Sequence, residues 1–249
     1  MIRRALGALA LLIAACAVTG SGLAADAVGK APSAGGAMAR PGAATAKPGA
    51  ADASASPVSL LSYLDNLKSL RTTFLQTVTD THGKEIDRST GTLLVVRPGK
   101  LRWEIHPQAA QGSSPSEGQL MVADGRNLWF YDRDLQQVTV KPVDAALSAT
   151  PAMLLSGAVD IQKNFTLTPA GKREGLDWTL VEPRGNDADF RRALFGFDRG
   201  ELKRMILEDK LGQTATVIFD KVERNGPVSP DETTFTPPAG VDVIGKPRS

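Results

Sequence analysis

The sequence predicts a mainly β fold: a strongly curved antiparallel sheet or partial barrel, with short helices over one mouth or face. From Arg71 almost to the C-terminus, apolar residues alternate with polar ones at the strand period of two, and Gly, Asp and Pro turn signals break the runs. Only two regions show helical spacing. No strand-helix-strand rhythm and no G-x-G-x-x-G run occurs, so about ten strands must connect neighbour to neighbour in an antiparallel meander. A composition of 42% apolar and 22% charged residues over 249 positions is ordinary for a folded protein with a sizeable core.

The N-terminus is not ordinary. Arg3 and Arg4 precede an apolar run from Ala5 to Val18, and Gly22-Leu23-Ala24 follows. This is the layout of a secretory signal peptide over residues 1–25, with a run too short to span a bilayer. The one cysteine, Cys16, lies inside it, so cleavage after Ala24 or Ala25 leaves a chain without thiols or disulfides. Ile13-Ala14-Ala15-Cys16 also resembles a bacterial lipoprotein cleavage box, which would instead retain Cys16 as a lipidated N-terminus. Export removes Arg3 and Arg4 from 29 basic residues, leaving 27 against 27 acidic ones. Such a neutral chain lacks the broad basic field that nucleic acid or an anionic membrane would require. Residues 26–57 are nearly all Ala, Gly, Pro, Ser and Thr, and read as a disordered linker between the leader and one domain, 58–249.

Ser59 caps an expected amphipathic helix in which Leu60, Leu61, Leu64, Leu67 and Leu70 recur at helical spacing. Strands are then expected at Phe74–Val78, Ile86–Arg97, Lys100–His106, Leu120–Asp124, Leu128–Tyr131 and Gln136–Val140, with a polar loop at Gln108–Glu117. Between Val143 and Leu155 the alternation lapses. Ala145-Ala146-Leu147 and Ala152-Met153-Leu154-Leu155 suggest two short helical pieces split before Pro151, the second ended by Gly157. Strands resume at Phe165–Thr168, Trp178–Glu182, Phe190–Phe197, Leu202–Leu207 and Thr214–Val222. The Phe235–Val243 tail, with Pro237-Pro238, can lie at most on an edge.

The hairpin Gly91–Trp103 stands out. Leu93, Val95 and Arg97 share one strand face, and after the Pro98-Gly99 turn Leu101, Trp103 and Ile105 recur at the same spacing. Pro98 pushes Arg97 toward extended geometry, so the arginine ends an apolar row. Two readings stay open: a guanidinium that snorkels to the rim and bonds the turn's carbonyls, or a polar latch on an apolar surface.

No catalytic constellation is present. His82 and His106, the two histidines, fall in a turn and at a strand end, which excludes metal sites of the usual Cys/His kind once Cys16 is lost. Asp124, Asp132, Asp134 and Asp198 sit in turns, where aspartate caps its own backbone. No nucleophile elbow or phosphate loop occurs.

Several runs recur together and in order: Phe74-Leu75-Gln76, Gly91-Thr92-Leu93, Arg97-Pro98-Gly99-Lys100-Leu101-Arg102-Trp103-Glu104, Asp124-Gly125-Arg126-Asn127-Leu128-Trp129-Phe130-Tyr131-Asp132, Leu135-Gln136-Gln137-Val138, Pro151-Ala152-Met153-Leu154-Leu155 and Phe235-Thr236-Pro237-Pro238-Ala239-Gly240-Val241. From about Val58 to Ile244 the chain thus resembles the periplasmic outer-membrane lipoprotein carrier family, LolA. The linker and the Gln108–Glu117 loop depart from the shorter family pattern. The resemblance implies an incomplete, strongly curved antiparallel β-barrel covered by short helices, with no enzymatic activity and no cofactor. It implies a monomer that takes acylated lipoproteins from an ATP-driven inner-membrane transporter and gives them to an outer-membrane lipoprotein receptor. The family's latching arginine falls on Arg97, and its lid on the Leu60–Leu70 helix with Leu64 and Leu67 and on the segment around Pro151 to Leu155 with Met153, Leu154 and Leu155. Leu93, Val95, Leu101 and Trp103, on shared faces of adjacent strands, are the expected acyl-chain cavity, with an ordinary closed core as the alternative.

Two alternatives share the fold. A receptor lipidated at Cys16 is one. A lipoprotein-sensing regulatory module is the other, although about 190 residues after the linker leave little room for the extra domain it would need. A hydrolase would need a nucleophile the sequence does not display. Mass spectrometry of the mature N-terminus is expected to find an unmodified start near Ala25; an acylated Cys16 would favour the receptor.

Overall fold

The computed structural model describes residues 58–109, 116–143, 151–158, 160–186 and 188–248. The leader with Cys16, the linker, the middle of the Gln108–Glu117 loop and the helical piece expected at Ala145–Leu147 lie outside the described residues.

In chain order the elements are α1 (Val58–Asp65), β1 (Ser69–Thr79), β2 (Glu85–Val96), β3 (Lys100–Pro107), β4 (Gln119–Asp124), β5 (Asn127–Asp132), β6 (Gln137–Pro142), α2 (Pro151–Ser156), α3 (Ile161–Asn164), β7 (Phe165–Arg173), β8 (Leu176–Pro183), β9 (Phe190–Asp198), β10 (Glu201–Asp209), β11 (Thr214–Arg224), a 3-10 turn (Pro230–Thr233) and β12 (Asp242–Ile244). All strands join one sheet in the order β12-β6-β5-β4-β3-β2-β1-β11-β10-β9-β8-β7. Two meanders therefore run outward and back, and the β1–β11 pair sews them together. The order ends at β7 and β12 without closing, so the barrel stays open, and the connection from β6 to β7 carries α2 and α3.

The alternation expected from the sequence recurs as alternating burial. Along β1, Leu70, Thr72, Phe74, Gln76 and Val78 point inward, and along β3, Leu101, Trp103 and Ile105 do so. Leu70, Phe74, Val78, Leu101, Trp103 and Ile105 share one concave hydrophobic cluster with Leu60, Tyr63 and Leu64 of α1 and with Ala152 to Leu155 of α2. A second cluster lies on the opposite side of the β4-β5-β6 section, where Leu120, Val122, Trp129, Tyr131, Val138 and Val140 pack against Phe235 and Val241. That explains why β4 reads as a continuous apolar run rather than an alternating one: both of its faces are covered.

The tail does lie on an edge, since β12 pairs in parallel with β6. It is pinned at its end by Asn127, whose Nδ2 donates to Arg248 O (3.0 Å) and whose Oδ1 accepts from Arg248 N–H (2.7 Å).

The first helix is shorter than its leucine spacing predicts. It ends at Asp65, not near Leu70, and Leu70 is a β1 residue paired with Val95. The cause lies far away in the chain. Asn225, in the left-handed region at φ 58, accepts from the N–H groups of Lys68 (2.7 Å) and Ser69 (3.3 Å). Its Nδ2 donates to Asn66 O at 3.0 Å, and its own N–H donates to Ser69 O at 2.8 Å. This clamp draws residues 66–69 out of the helix and leads the chain into β1, while Leu67 and Leu70 stay buried at 4% and 0% exposure. The four-residue α3 was not foreseen; Asp160 caps it by accepting the Lys163 N–H.

Asp124 shows how tightly the β4-β5 turn is tied. Oδ1 accepts the N–H groups of Arg126 and Asn127 at 2.8 Å each, and Oδ2 accepts the Trp129 indole N–H at 2.7 Å. Burial pushes its pKa up, but these hydrogen bonds outweigh that and hold it below the ordinary carboxylate value. A depressed folded-state pKa means the contribution is complete above the unfolded value of about 3.9 and is lost as pH falls through the folded one. Asp124→Asn is therefore expected to destabilise the protein by roughly 1–3 kcal/mol at neutral pH. Urea unfolding should show the gap between variant and parent narrowing on acidification below about pH 4; a gap independent of pH would contradict the charged role of Asp124.

Candidate functional site

The concave wall is built from side-by-side strand residues. Leu93 pairs across with Trp103 and Trp103 with Met121; one step along, Val95 pairs with Leu101 and Leu101 with Ala123. All six side chains are buried. Phe74 stands edge-on to Trp103, with ring centroids 5.5 Å apart at 78°. Gly91 makes that approach possible, since a Cβ there would overlap both the Phe74 ring and Glu104 O. The four residues expected to line a cavity are thus brought together on adjacent strands.

Both helices belong to the same buried cluster as this wall. α2 packs against β2 and β3, and α1 against β8. In α2 the consecutive residues Ala152, Met153, Leu154 and Leu155 are all fully buried. Four successive helical residues span every side of a helix, so α2 is set into the concavity rather than laid over it. Of the residues expected in the lid, Leu64, Met153, Leu154 and Leu155 are helical, whereas Leu67 lies past the end of α1, where its N–H donates to Leu64 O at 3.1 Å.

Arg97 sits where the two covers meet. Its Nη1 donates to Leu64 O at 2.9 Å, one of the last carbonyls of α1, which no helical N–H can reach. Its backbone N–H donates to Lys68 O at 2.8 Å. Two residues on, the Gly99 N–H donates to Ser156 O, the last carbonyl of α2, at 2.7 Å. The hairpin turn thereby grips both helices at their C-terminal ends, where a cation also complements the helix dipole. Gly157 then closes α2 at φ 71, and a Cβ on it would come within 2.8 Å of Arg97 Nε and 2.9 Å of Nη2. The guanidinium lies flat against that glycine. Burial lowers the Arg97 pKa and the Asp65 carboxylate partly restores it, but guanidinium remains a cation at any working pH. Of the two readings of Arg97, bonding to the carbonyls of its own turn is not what occurs: the acceptor belongs to the first helix.

Sequence reasoning missed three participants. Gly157 was legible as a helix stop but not as the seat of the guanidinium. Gly99 was legible as a turn residue, yet it supplies the bond to α2. Tyr63, on the inward face of α1, packs against Phe197 at 5.4 Å and under the Arg224 guanidinium at 4.5 Å. Arg224 is in turn ion-paired with Glu201 at 3.0 Å. Burial pushes the Tyr63 phenol pKa up, Arg224 opposing and Glu201 adding to the rise. The Tyr63 hydroxyl and the Trp103 indole nitrogen are both buried without a hydrogen-bonding partner among the described residues.

His82 and His106 are both exposed, with His106 3.8 Å from Glu104. Among the described residues no group of three or more His, Cys, Asp or Glu could hold a metal, and no helix is long and apolar enough to cross a membrane.

Residues 65–236 match the model of the family described as outer membrane lipoprotein carrier protein LolA. An outer-membrane lipoprotein carrier protein of Dechloromonas aromatica (strain RCB) is 42% identical over 187 residues, covering 75% of this chain and 86% of its own length. One from Nitrosospira multiformis is 41% identical over 189 residues, covering 76% and 87%. Among solved structures, a LolA superfamily protein from Nitrosomonas europaea aligns with TM-score 0.41 at 12% identity, over 72% of this chain and 98% of its own. The extent of the family match and the identity of these relatives place the chain in the outer-membrane lipoprotein carrier (LolA) family.

Proposed function

We propose that this protein is a periplasmic chaperone that binds the acyl chains of lipoproteins released from the inner membrane and delivers them to a receptor at the outer membrane. The observation that carries the proposal is the meeting of Arg97 with Leu64 O and Gly157 above a concave apolar wall. An ordinary core has no use for a cation there, whereas a removable cover does. In this reading the leader is cleaved on export, an ATP-driven transporter loads the carrier, and an outer-membrane receptor lipoprotein unloads it.

The physical need is plain. At about 0.8 kcal/mol per CH₂, exposing one sixteen-carbon chain to water costs on the order of 12 kcal/mol, and a triacylated cargo about three times that. Such cargo does not cross an aqueous compartment unaided. A carrier with no fuel of its own must hide the chains and still release them, so its empty state has to be stabilised by closing on itself. Leu64, Met153, Leu154 and Leu155 occupy the concavity in the closed state, and acyl chains take their place in the loaded one. Loading breaks the bonds from Arg97 to Leu64 O and from Gly99 to Ser156 O, and unloading restores them. Latch and cargo compete, and each shifts the equilibrium only by its differential affinity for the two states.

A fluorescent fatty-acyl probe is expected to bind the purified protein and to be displaced by lipoprotein. Failure to bind any acylated ligand, with folding intact, would remove the carrier reading. At ~1.5–3 kcal/mol for a hydrogen bond to a charged group, Arg97→Leu is expected to tighten cargo binding roughly ten- to a hundredfold and to slow transfer to the receptor. Arg97→Lys should fall between, keeping the charge without the planar fork. Transfer from Arg97→Leu as fast as from the parent would return Arg97 to a passive role.

Gly157→Ala tests the same latch without touching the arginine. The added Cβ displaces the guanidinium from its seat, and an alanine at positive φ adds strain of about 1–2 kcal/mol. The variant is expected to unfold at lower urea and to share the tight-binding, slow-release behaviour of Arg97→Leu. Parent-like release from a correctly folded Gly157→Ala would show that the guanidinium's seat does not matter.

A further inference from the structure

The three tryptophans of the chain meet different fates. Trp129 donates its indole N–H to Asp124 Oδ2 at 2.7 Å, and Trp178 donates to Arg173 O at 3.1 Å. Trp103 is the most deeply buried of them at 1% exposure, and its N–H has no acceptor among the described residues. It stands in the middle of the concave wall, between Leu93 of β2 and Met121 of β4, in the cluster that α1 and α2 cover. Phenylalanine would supply the same edge-on contact with Phe74 without an unmet donor. Buried donors are almost always paired, and leaving one unpaired opposes folding, so the nitrogen calls for a role in another state of the protein.

We infer that the Trp103 indole N–H is a polar anchor of the cargo site, donating a hydrogen bond to an ester carbonyl of the lipid when the lid is displaced. The inference rests on the carrier reading. With α1 and α2 lifted, the wall they cover faces cargo, and Trp103 offers a donor fixed to a rigid strand amid apolar side chains. Acyl chains alone offer no acceptor. The carbonyl where each chain joins glycerol does, so a fixed donor sets the depth at which the chains stop and makes the site read acyl esters rather than hydrocarbon in general. Tyr63, the other partnerless hydroxyl of the same cluster, sits on α1 and moves with the cover, which leaves Trp103 as the stationary donor.

The test compares two lipopeptides of identical peptide and chain length, one with two palmitoyl esters on its glyceryl group and one with two hexadecyl ethers. Each is titrated by displacement of a fluorescent acyl probe. The parent is expected to bind the ester about tenfold more tightly than the ether, and Trp103→Phe to lose that preference. In 15N-labelled parent protein the Trp103 indole N–H resonance should move downfield on adding the ester and not on adding the ether. This spectrum decides the matter even if Trp103→Phe folds poorly. Equal affinity of the parent for both ligands, an equal loss for both in Trp103→Phe, or an indole resonance indifferent to the linkage would overturn the anchor and leave the carrier reading standing. Binding of neither ligand by folded parent would instead defeat the carrier reading, and the anchor with it.

Discussion

Everything on the concave side of the sheet is arranged around a cation that cannot be neutralised. Arg97 ends the Leu93-Val95 row, and Pro98 with Gly99 turns the chain directly after it, so the guanidinium cannot retreat along its own strand. It needs acceptors. The turn provides none that it uses, and Leu64 O at the end of α1, which also accepts the Leu67 N–H, is the one it takes. The bond ties the C-terminal end of α1 to the turn between β2 and β3.

The helices are well chosen for a cover that comes off. α1 has eight residues and α2 has six, lengths at which an isolated helix does not hold in water. Their order comes from packing on the sheet and from the bonds at their C-terminal ends. The sheet needs no such support, since β1, β2 and β11 are joined along most of their length by continuous ladders. Local opening free energy follows this division, low where a few contacts hold short elements and high where ladders and core reinforce each other. In the proposed carrier cycle this division lets the two short helices leave without disturbing the wall beneath them.

How much of this was legible depended on how local the cause was. The meander could be read because period-two burial is a property of each strand by itself, and Arg97 could be read because it interrupts such a row. The end of α1 could not. Leu64, Leu67 and Leu70 keep helical spacing, yet Asn225, more than 150 residues downstream, takes the N–H groups that would have continued the helix. Gly157 is a parallel case: its sequence signal marks a helix stop, while its closeness to Arg97 depends on how the β6-β7 connection crosses the sheet. The orphaned nitrogen of Trp103 left no trace in the pattern, because an indole reads as apolar whether or not its N–H is paired.

The same sheet covers a second apolar surface, and the contrast shows what makes a cover permanent. Across β4, β5 and β6, Phe235 lies against Trp129 at 5.7 Å and Tyr131 at 6.0 Å, β12 pairs with β6, and Asn127 and Arg248 exchange two hydrogen bonds. Asp124 fixes Trp129 from below. Aromatic contact, strand pairing and side-chain clamps act in series there. On the concave side the cover is short-helical, joined to the sheet's turn by bonds from Arg97 and Gly99, and closed over a cation and an unsatisfied indole. A buried polar group with too few partners weakens the state that buries it. Among the described residues the concave closure carries that weakness at Tyr63 and Trp103 and the convex one does not, which is the difference the proposed carrier cycle needs between a surface that opens for cargo and one that stays shut.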